Sequence, residues 1–532
     1  MTLTAEEIKA MDADKIADCF AKQNEELQHL KEQVELLTEA LVAEKNNRFG
    51  RATEKNLTDA EENGQISFNE AEATADVSVA EPDVEQMVAG YKRKKHAGKR
   101  EEDLRNLEHV EPVEHVIPEE ELRKEFPEGW DERTTETYEV LIYEPARYCV
   151  QEHIVHVYEG KNGRFLRAPH PKRLLRASVV TPSLAAAVIN CKYTNGLPLY
   201  RMEQELQRRD ISISRQTMAN WVIQLSQEYL SYVCTRMWQH LKQCPVIQAD
   251  ETTVKVTKDG RDAGSTSYMW AYRTGTAYPE KTAVLFDYQK TRSAEHPEEK
   301  LGGYRGILVT DGYEAYHKLD KENENIRVAG CWAHARRRFA EAVKAAVKNE
   351  KNTLAEAALK KIQKIYNADA KLADLPLEKR LEQRKIKVAP LVDDYFAWVK
   401  KNIGRVLPNS KTGKGFSYAL DEEKYLRVFL ERGDVPLDNN ATERAIRPFT
   451  IGRKNWVMID TVNGAEASAV MYSIVESAKA NNLKIYEYVS YLLTQLPELL
   501  TDEMKLNGDL EALDDLMPWS EKIPDSCRKK TK

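Results

Sequence analysis

The chain has little cysteine, and what it has follows no pattern. Its seven cysteines, Cys19, Cys149, Cys191, Cys234, Cys244, Cys331 and Cys527, are scattered and include no CxxC pair. A disulfide framework is therefore not expected, and the odd, unpaired set fits a reducing cytosol. No apolar run approaches the roughly 20 residues needed to cross a bilayer. The first residues also lack a basic-then-apolar leader pattern. These absences predict a soluble, cytoplasmic protein with no membrane partner. Positive charge is not in excess either. With a net charge of −7, any contact with nucleic acid must rest on local basic clusters.

What is present is length and pattern. The 532 residues exceed one compact core and predict three or more units. Residues 1–50 carry Ile16, Phe20, Gln23, Leu27, Leu30, Val34, Leu37 and Leu41 at alternating steps of four and three. This heptad seam predicts a coiled coil that makes a homodimer or higher oligomer. The alternative is an amphipathic helix packed on its own chain. Residues 51–110 read as a linker. Positions 56–91 hold no Lys or Arg but many acids, and the basic run Lys92-Arg93-Lys94-Lys95 follows at once. That run can neutralise phosphates or can simply be solvated.

Residues 111–175 read as a small β-rich unit. Val150, His153, Val155 and Val157 precede a turn at Gly160-Lys161-Asn162-Gly163. Over 176–240 the pattern turns helical. Ser214 is a good N-cap, and Ile213 ahead of it can staple to Met218. Short helices at this spacing predict a helix-turn-helix presenting Arg215, Gln216 and Asn220 to a DNA groove. An ordinary three-helix bundle is the alternative.

From 241 to 460 the order is three strands (245–257, 266–275 and 280–289), a helix near 293–302, a strand 306–311, a helix 313–320 and a strand 326–332. That is the order of a ribonuclease-H-like α/β core. A helical insertion at about 340–430 separates it from a last helix carrying Glu443. Residues 461–532 read as two helices and a polar tail with Pro518-Trp519 as a docking point.

Three acids stand out. Asp250 and Asp311 each end an apolar run, Pro245-Val246-Ile247-Gln248-Ala249 and Gly306-Ile307-Leu308-Val309-Thr310. The run before Asp311 is continuous, which marks a strand buried on both faces. Glu443 lies in Asp438-Asn439-Asn440-Ala441-Thr442-Glu443-Arg444, beside Arg447. Three carboxylates on rigid elements can hold two Mg²⁺ or Mn²⁺ ions, which clamp the two oxygens of an in-line displacement at phosphorus. Each acid also has a plain reading: a charged strand end, an Asp-Gly turn, and a capping box with Asn440 as cap and Glu443 as its reciprocal acid. Cys331 and His334 have no second ligand pair, so zinc is not expected there. Arg336, in Arg336-Arg337-Arg338, is a candidate phosphate contact or part of a solvated face.

These blocks resemble the insertion sequence 66 family of bacterial DDE transposases. The resemblance is carried by Phe49-Gly50-Arg51-Ala52-Thr53-Glu54-Lys55, Leu197-Pro198-Leu199-Tyr200-Arg201, Ser214-Arg215-Gln216-Thr217 and Gln248-Ala249-Asp250-Glu251-Thr252. It continues through Thr310-Asp311-Gly312-Tyr313, Gly330-Cys331-Trp332-Ala333-His334-Ala335-Arg336-Arg337 and Asp438-Asn439-Asn440 to Gly452-Arg453-Lys454-Asn455-Trp456. It implies that Asp250, Asp311 and Glu443 form a catalytic triad for Mg²⁺-dependent strand cleavage and transfer. Arg447 and Lys454 are then the candidates for backbone contacts near the reacting phosphate. DNA, as terminal inverted repeats and target, is the implied partner, with accessory proteins of the element beside it. The bacterial cytoplasm, at the nucleoid, is the implied location. Family members carry a cysteine-rich zinc module before the helix-turn-helix. Only Cys149 lies in that region here, so either the β unit folds by apolar packing or this copy has lost the module. The alternative function is a DNA-binding accessory or repressor protein without catalysis.

Overall fold

The computed structural model describes residues 147–530 except 160–164, 169–171, 177, 263 and 346–352, with isolated residues between 120 and 128. The heptad helix, the acidic linker and the basic run Lys92-Arg93-Lys94-Lys95 lie outside the described residues. What is described falls into two units, 172–528 and the described part of 66–171 with the last residues. In the smaller unit, β1 (Val157–Glu159) and β2 (Phe165–Arg167) pair antiparallel, with Tyr158 opposite Leu166. The Gly-Lys-Asn-Gly stretch lies between them.

The larger unit begins with α1 (Pro182–Ile189). Thr181 caps it by accepting from the Leu184 amide at 3.3 Å, and Pro182 occupies the first turn. The helix widens into a π-type turn over Asn190–Thr194. Then come α2 (Leu199–Gln207), α3 (Arg215–Leu225) and α4 (Ser231–Leu241). The Ser214 hydroxyl accepts from the Thr217 amide at 3.1 Å, as its cap position requires. Met218, Trp221, Val222 and Leu225 form the buried face of α3.

The sheet follows: β3 (Val246–Val254), β5 (Ser267–Thr274), β6 (Val284–Gln289), β7 (Gly306–Thr310) and β8 (Ile326–Gly330), with the short β4 (Val256–Lys258) continuing from β3. The strand order is β6-β5-β3-β7-β8. β3, β5 and β6 are antiparallel neighbours, and β7 and β8 add in parallel. The third strand starts later than its sequence suggests, because Pro279-Glu280-Lys281 form a 3₁₀ turn. Helices α5 (Glu295–Lys300) and α6 (Glu314–Glu322) connect β6, β7 and β8. Val246 to Ala249 and Ile307 to Thr310 are buried throughout, as central strands covered on both faces must be.

After β8 the chain enters helices α7 (Trp332–Ala345), α8 (Leu354–Ala370), α9 (Leu377–Gln383), α10 (Ala389–Asn402) and α11 (Lys411–Asp421). They enclose a second apolar core built on Trp332, Phe339, Tyr395, Phe396 and Phe416. Pro376 precedes the first residue of α9, and Pro390 directly follows a π-type turn over Arg384–Val388 that joins α9 to α10. Arg384 is wholly buried in this core. It pairs with Asp369 and donates to the carbonyls of Phe429, Arg432 and Val435 at 2.8, 2.9 and 2.8 Å.

Helix α12 (Asn440–Trp456) returns to the sheet, and β9 (Ile459–Thr461) pairs with β4. Helix α13 (Val462–Ala480) then covers the edge strand β6. Ser473 and Ser477 accept from the amides of Phe286 and Val284 at 2.8 and 2.9 Å. These bonds occupy edge donors that would otherwise invite another strand. Helix α14 (Ile485–Leu499) follows. The stretch read as a polar tail is partly core: Leu510, Leu513, Leu516, Met517, Ile523 and Cys527 are buried. Trp519 stacks edge-on against His240. Among the described residues, no helix is long and apolar enough to cross a membrane.

Candidate active site

Register brings two of the acids together. β3 and β7 are parallel neighbours with Gln248 opposite Val309. Two residues further on, Asp250, in the middle of β3, therefore stands opposite Asp311, the residue just past the end of β7. Parallel neighbours lie about 4.8 Å apart, and equal steps along both keep the side chains on one face. Carboxylate oxygens of Asp250, Glu251 and Asp311 lie within 4.8 Å of one another. Backbone amides hold two of them. Glu251 N donates to Asp250 Oδ1 at 2.9 Å, and Tyr313 N donates to Asp311 Oδ1 at 3.0 Å.

The electrostatics are those of crowded negative charge. Burial, then the charges of Glu251, Asp311 and Glu443, raise the Asp250 carboxyl well above the usual range. Among the described residues neither Asp250 nor Asp311 has a salt-bridge partner. Glu251 is different. Its side chain is 2% exposed and pairs with Arg292, whose Nε donates to Oε1 at 2.8 Å. Tyr316 donates its hydroxyl to the other oxygen at 2.7 Å. Arg292 also lies 3.6 Å above the Tyr313 ring, so one side chain braces both acid-bearing loops.

Glu443 occupies the first turn of α12, but not as a capping box. The cap residue is Asn439, which makes no side-chain cap bond. The amides of Asn440, N–H and side chain, donate to Asp438 instead, at 3.1 and 2.9 Å. Asn439 is fully buried and ties three elements together. It donates to the Ala249 carbonyl at 2.7 Å and accepts from Gln248 at 3.2 Å and from Thr442 at 2.9 Å. Its backbone amide meets the Cys331 sulfur at 3.2 Å. Glu443 makes its ion pair with Arg337 at 3.2 Å, not with Arg447, and His334 Nδ1 is 3.7 Å away. Cys331, His334 and Glu443 form a second close group. Burial pushes the Cys331 thiol up to about 12. Burial, then Arg337, lowers His334.

The remaining candidates divide by exposure. Arg215, Gln216 and Asn220 are exposed on one side of α3, and Arg215 lies 5.4 Å above the Tyr200 ring. Arg336 and Arg447 are exposed, and Lys454 is half-buried. Next to Lys454, Arg453 reaches the hydroxyls of Thr252 and Thr253 at 3.2 and 3.1 Å. Sequence reasoning missed Arg292 and the brace at Asn439, and it weighed His334 and Arg337 without their contacts to Glu443. His334 and Arg337, three residues apart, share the face of α7 opposite the buried Trp332, Ala335 and Phe339, so the phase of the apolar residues gave no sign that Arg337 meets the site.

A five-stranded mixed sheet in this order, with Asp250 within β3 and Asp311 just after β7, is consistent with a ribonuclease-H-like core. The chain belongs to the transposase IS66 family, whose family model matches residues 177–467. Similar proteins come from Sinorhizobium fredii (strain NBRC 101917 / NGR234). "Uncharacterized protein y4qI" is 28% identical over 510 residues, covering 93% of this chain and 90% of the relative. "Uncharacterized protein y4jD" is 27% identical over 363 residues, covering 67% of this chain and 69% of the relative.

Proposed function

We propose that this protein is a DNA transposase that binds the ends of an insertion element and performs metal-dependent strand cleavage and strand transfer through Asp250, Asp311 and Glu443. The observation that carries this reading is the side-by-side placement of Asp250 and Asp311, with oxygens within 4.8 Å and without a salt-bridge partner among the described residues. Half-buried carboxylates crowded together without a cation fit divalent metal ions, which are oxygen-loving and neutralise such crowding. When bound, two such ions supply Lewis-acid activation of water or a 3′-hydroxyl and of the leaving oxygen.

The chain's own residues do the positioning. Asp250 and Asp311 are the first two ligands, fixed by strand register and backbone amides. Glu443 is the third, on a helix anchored by Asn439. The α2–α3 pair acts as the helix-turn-helix, with Arg215, Gln216 and Asn220 facing the element end. Lys92, Arg93, Lys94 and Lys95 bind phosphates from the linker. Arg336, Arg447 and Lys454 meet the backbone near the core. The heptad region of 1–50 joins copies into a dimer or larger assembly, and accessory proteins of the element are further partners.

The test is strand cleavage of a duplex containing an element end, with Mg²⁺. Asp250→Asn should lower cutting by at least about a hundredfold, since several kcal/mol of charge stabilisation rests on the ions. Unchanged cutting refutes the assignment. End-specific binding by the wild type without any metal-dependent cutting would instead mark a DNA-binding accessory protein.

A further inference from the structure

The third acid does not stand with the first two. Asp250, Glu251 and Asp311 form one close group of oxygens, while Glu443 belongs to another, with Cys331 and His334. Arg337 Nη2 donates to Glu443 Oε2 at 3.2 Å. The second oxygen, Oε1, faces His334 Nδ1 at 3.7 Å, too far for a hydrogen bond. Both of these atoms are buried without a hydrogen-bond partner.

The tautomer of His334 follows from its other contact. Arg337 Nη1 lies 3.4 Å from His334 Nε2, and a guanidinium only donates. Nε2 therefore accepts, and the ring proton sits on Nδ1, directed at Glu443. Arg337 thus touches both partners from one helix of the insertion. Glu443 is held by one oxygen and left unsatisfied at the other. A buried acceptor in that state has free energy to gain by moving. The holding pair is also weak: the Arg337 and Glu443 side chains are 39% and 27% exposed. Half-exposed ion pairs contribute only about 0.2–1 kcal/mol. Such a contact can bias a side chain and still give way.

We infer that Arg337 is a latch on Glu443, a positioning residue that keeps the third carboxylate turned toward α7 until it swings to join Asp250 and Asp311. The freed guanidinium is then available to a DNA phosphate at the same place. This inference rests on the acid-site reading above and adds to it the element that controls when the site is complete. His334 serves as the second wall of the resting position.

The experiment is Mn²⁺ binding by the full chain without DNA, followed by calorimetry or by electron paramagnetic resonance. Removing the latch in Arg337→Gln should tighten Mn²⁺ binding roughly two- to fivefold, the factor equivalent to a half-exposed ion pair. In an Glu443→Gln background the same change should make no difference. Arg337→Lys should tighten binding in the same direction by a smaller factor, and it carries the test if the glutamine variant does not fold. Equal affinity in wild type and the Arg337 variants overturns the latch. So does a gain that persists with Glu443→Gln, because that would be a general effect of removing positive charge. Asp250→Asn binding Mn²⁺ as tightly as wild type would instead overturn the acid-site reading beneath it.

Discussion

The side chain of Asn439 donates to the carbonyl oxygen of Ala249 at 2.7 Å, one residue before Asp250. This bond joins the start of the helix that carries Glu443 to the strand that carries the first aspartate. It spans 190 residues of sequence and fixes the start of that helix against the strand.

Asn439→Ala should therefore cost about 2–4 kcal/mol of stability. It would leave the Ala249 carbonyl and part of the Gln248 amide buried without partners, and each such orphan costs about 1–3 kcal/mol. Denaturant unfolding measures the loss. A cost below about 0.5 kcal/mol would show that the brace is not structural. Strand cleavage should fall in the folded fraction as well, because Glu443 loses its anchor.

The buried pair in the insertion gives a pH prediction. Burial acts to raise the Asp369 carboxyl, but hydrogen bonds and charge from Arg384 and Arg380 outweigh it and hold the group below its usual range. A depressed folded value means stability that is complete above the unfolded value of about 3.9 and lost as pH falls through the folded one. Asp369→Asn should flatten that part of the acid-unfolding curve. Arg384→Met should cost about 3–5 kcal/mol near neutral pH, because it leaves three carbonyls unpaired and Asp369 with Arg380 alone.

Asp250 works in the opposite sense. Its folded value is raised, so its contribution to stability is fully present below about pH 3.9 and lost as pH rises through the folded value. At neutral pH the metal-free protein is thereby strained at this site. Asp250→Asn should raise the melting temperature by roughly 2 °C, and Mg²⁺ should raise that of the wild type but not of the variant. Thermal melts at pH 7.5 with and without Mg²⁺ decide it. A variant that melts lower, or that still responds to Mg²⁺, contradicts the account.

On the DNA side, Arg215→Ala should weaken binding to the element end. If Arg215 meets a phosphate, the salt dependence should lose about one unit of slope. If it reads a base edge, binding should fall by about 1–3 kcal/mol on the matching sequence alone. Fluorescence anisotropy over a salt series separates these. No change in either quantity removes Arg215 from the interface.

Part of this arrangement was legible in the sequence for physical reasons. Asp250 and Asp311 follow largely apolar runs, broken only by Gln248 and Thr310, as suits strands covered on both faces. Once β3 and β7 are parallel neighbours, their register places the acids together. Glu443 was legible as a residue but not in its setting. The Asn-rich turn looks locally like a capping box, yet Asn439 bonds to Ala249 and Gln248, far away in sequence. The Glu251–Arg292 pair likewise joins strands and loops 41 residues apart, and no local pattern marks it. Arg337 lay hidden in a row of three arginines, and its place opposite the apolar Trp332, Ala335 and Phe339 made it look like a solvent-facing residue.

The most direct measurement is anomalous scattering from crystals of the protein with Mn²⁺ and an element-end duplex. The account predicts manganese between Asp250 and Asp311, with Glu443 turned toward them and released from Arg337. Manganese bound elsewhere, with Asp250 and Asp311 uncoordinated beside the bound DNA, would contradict it.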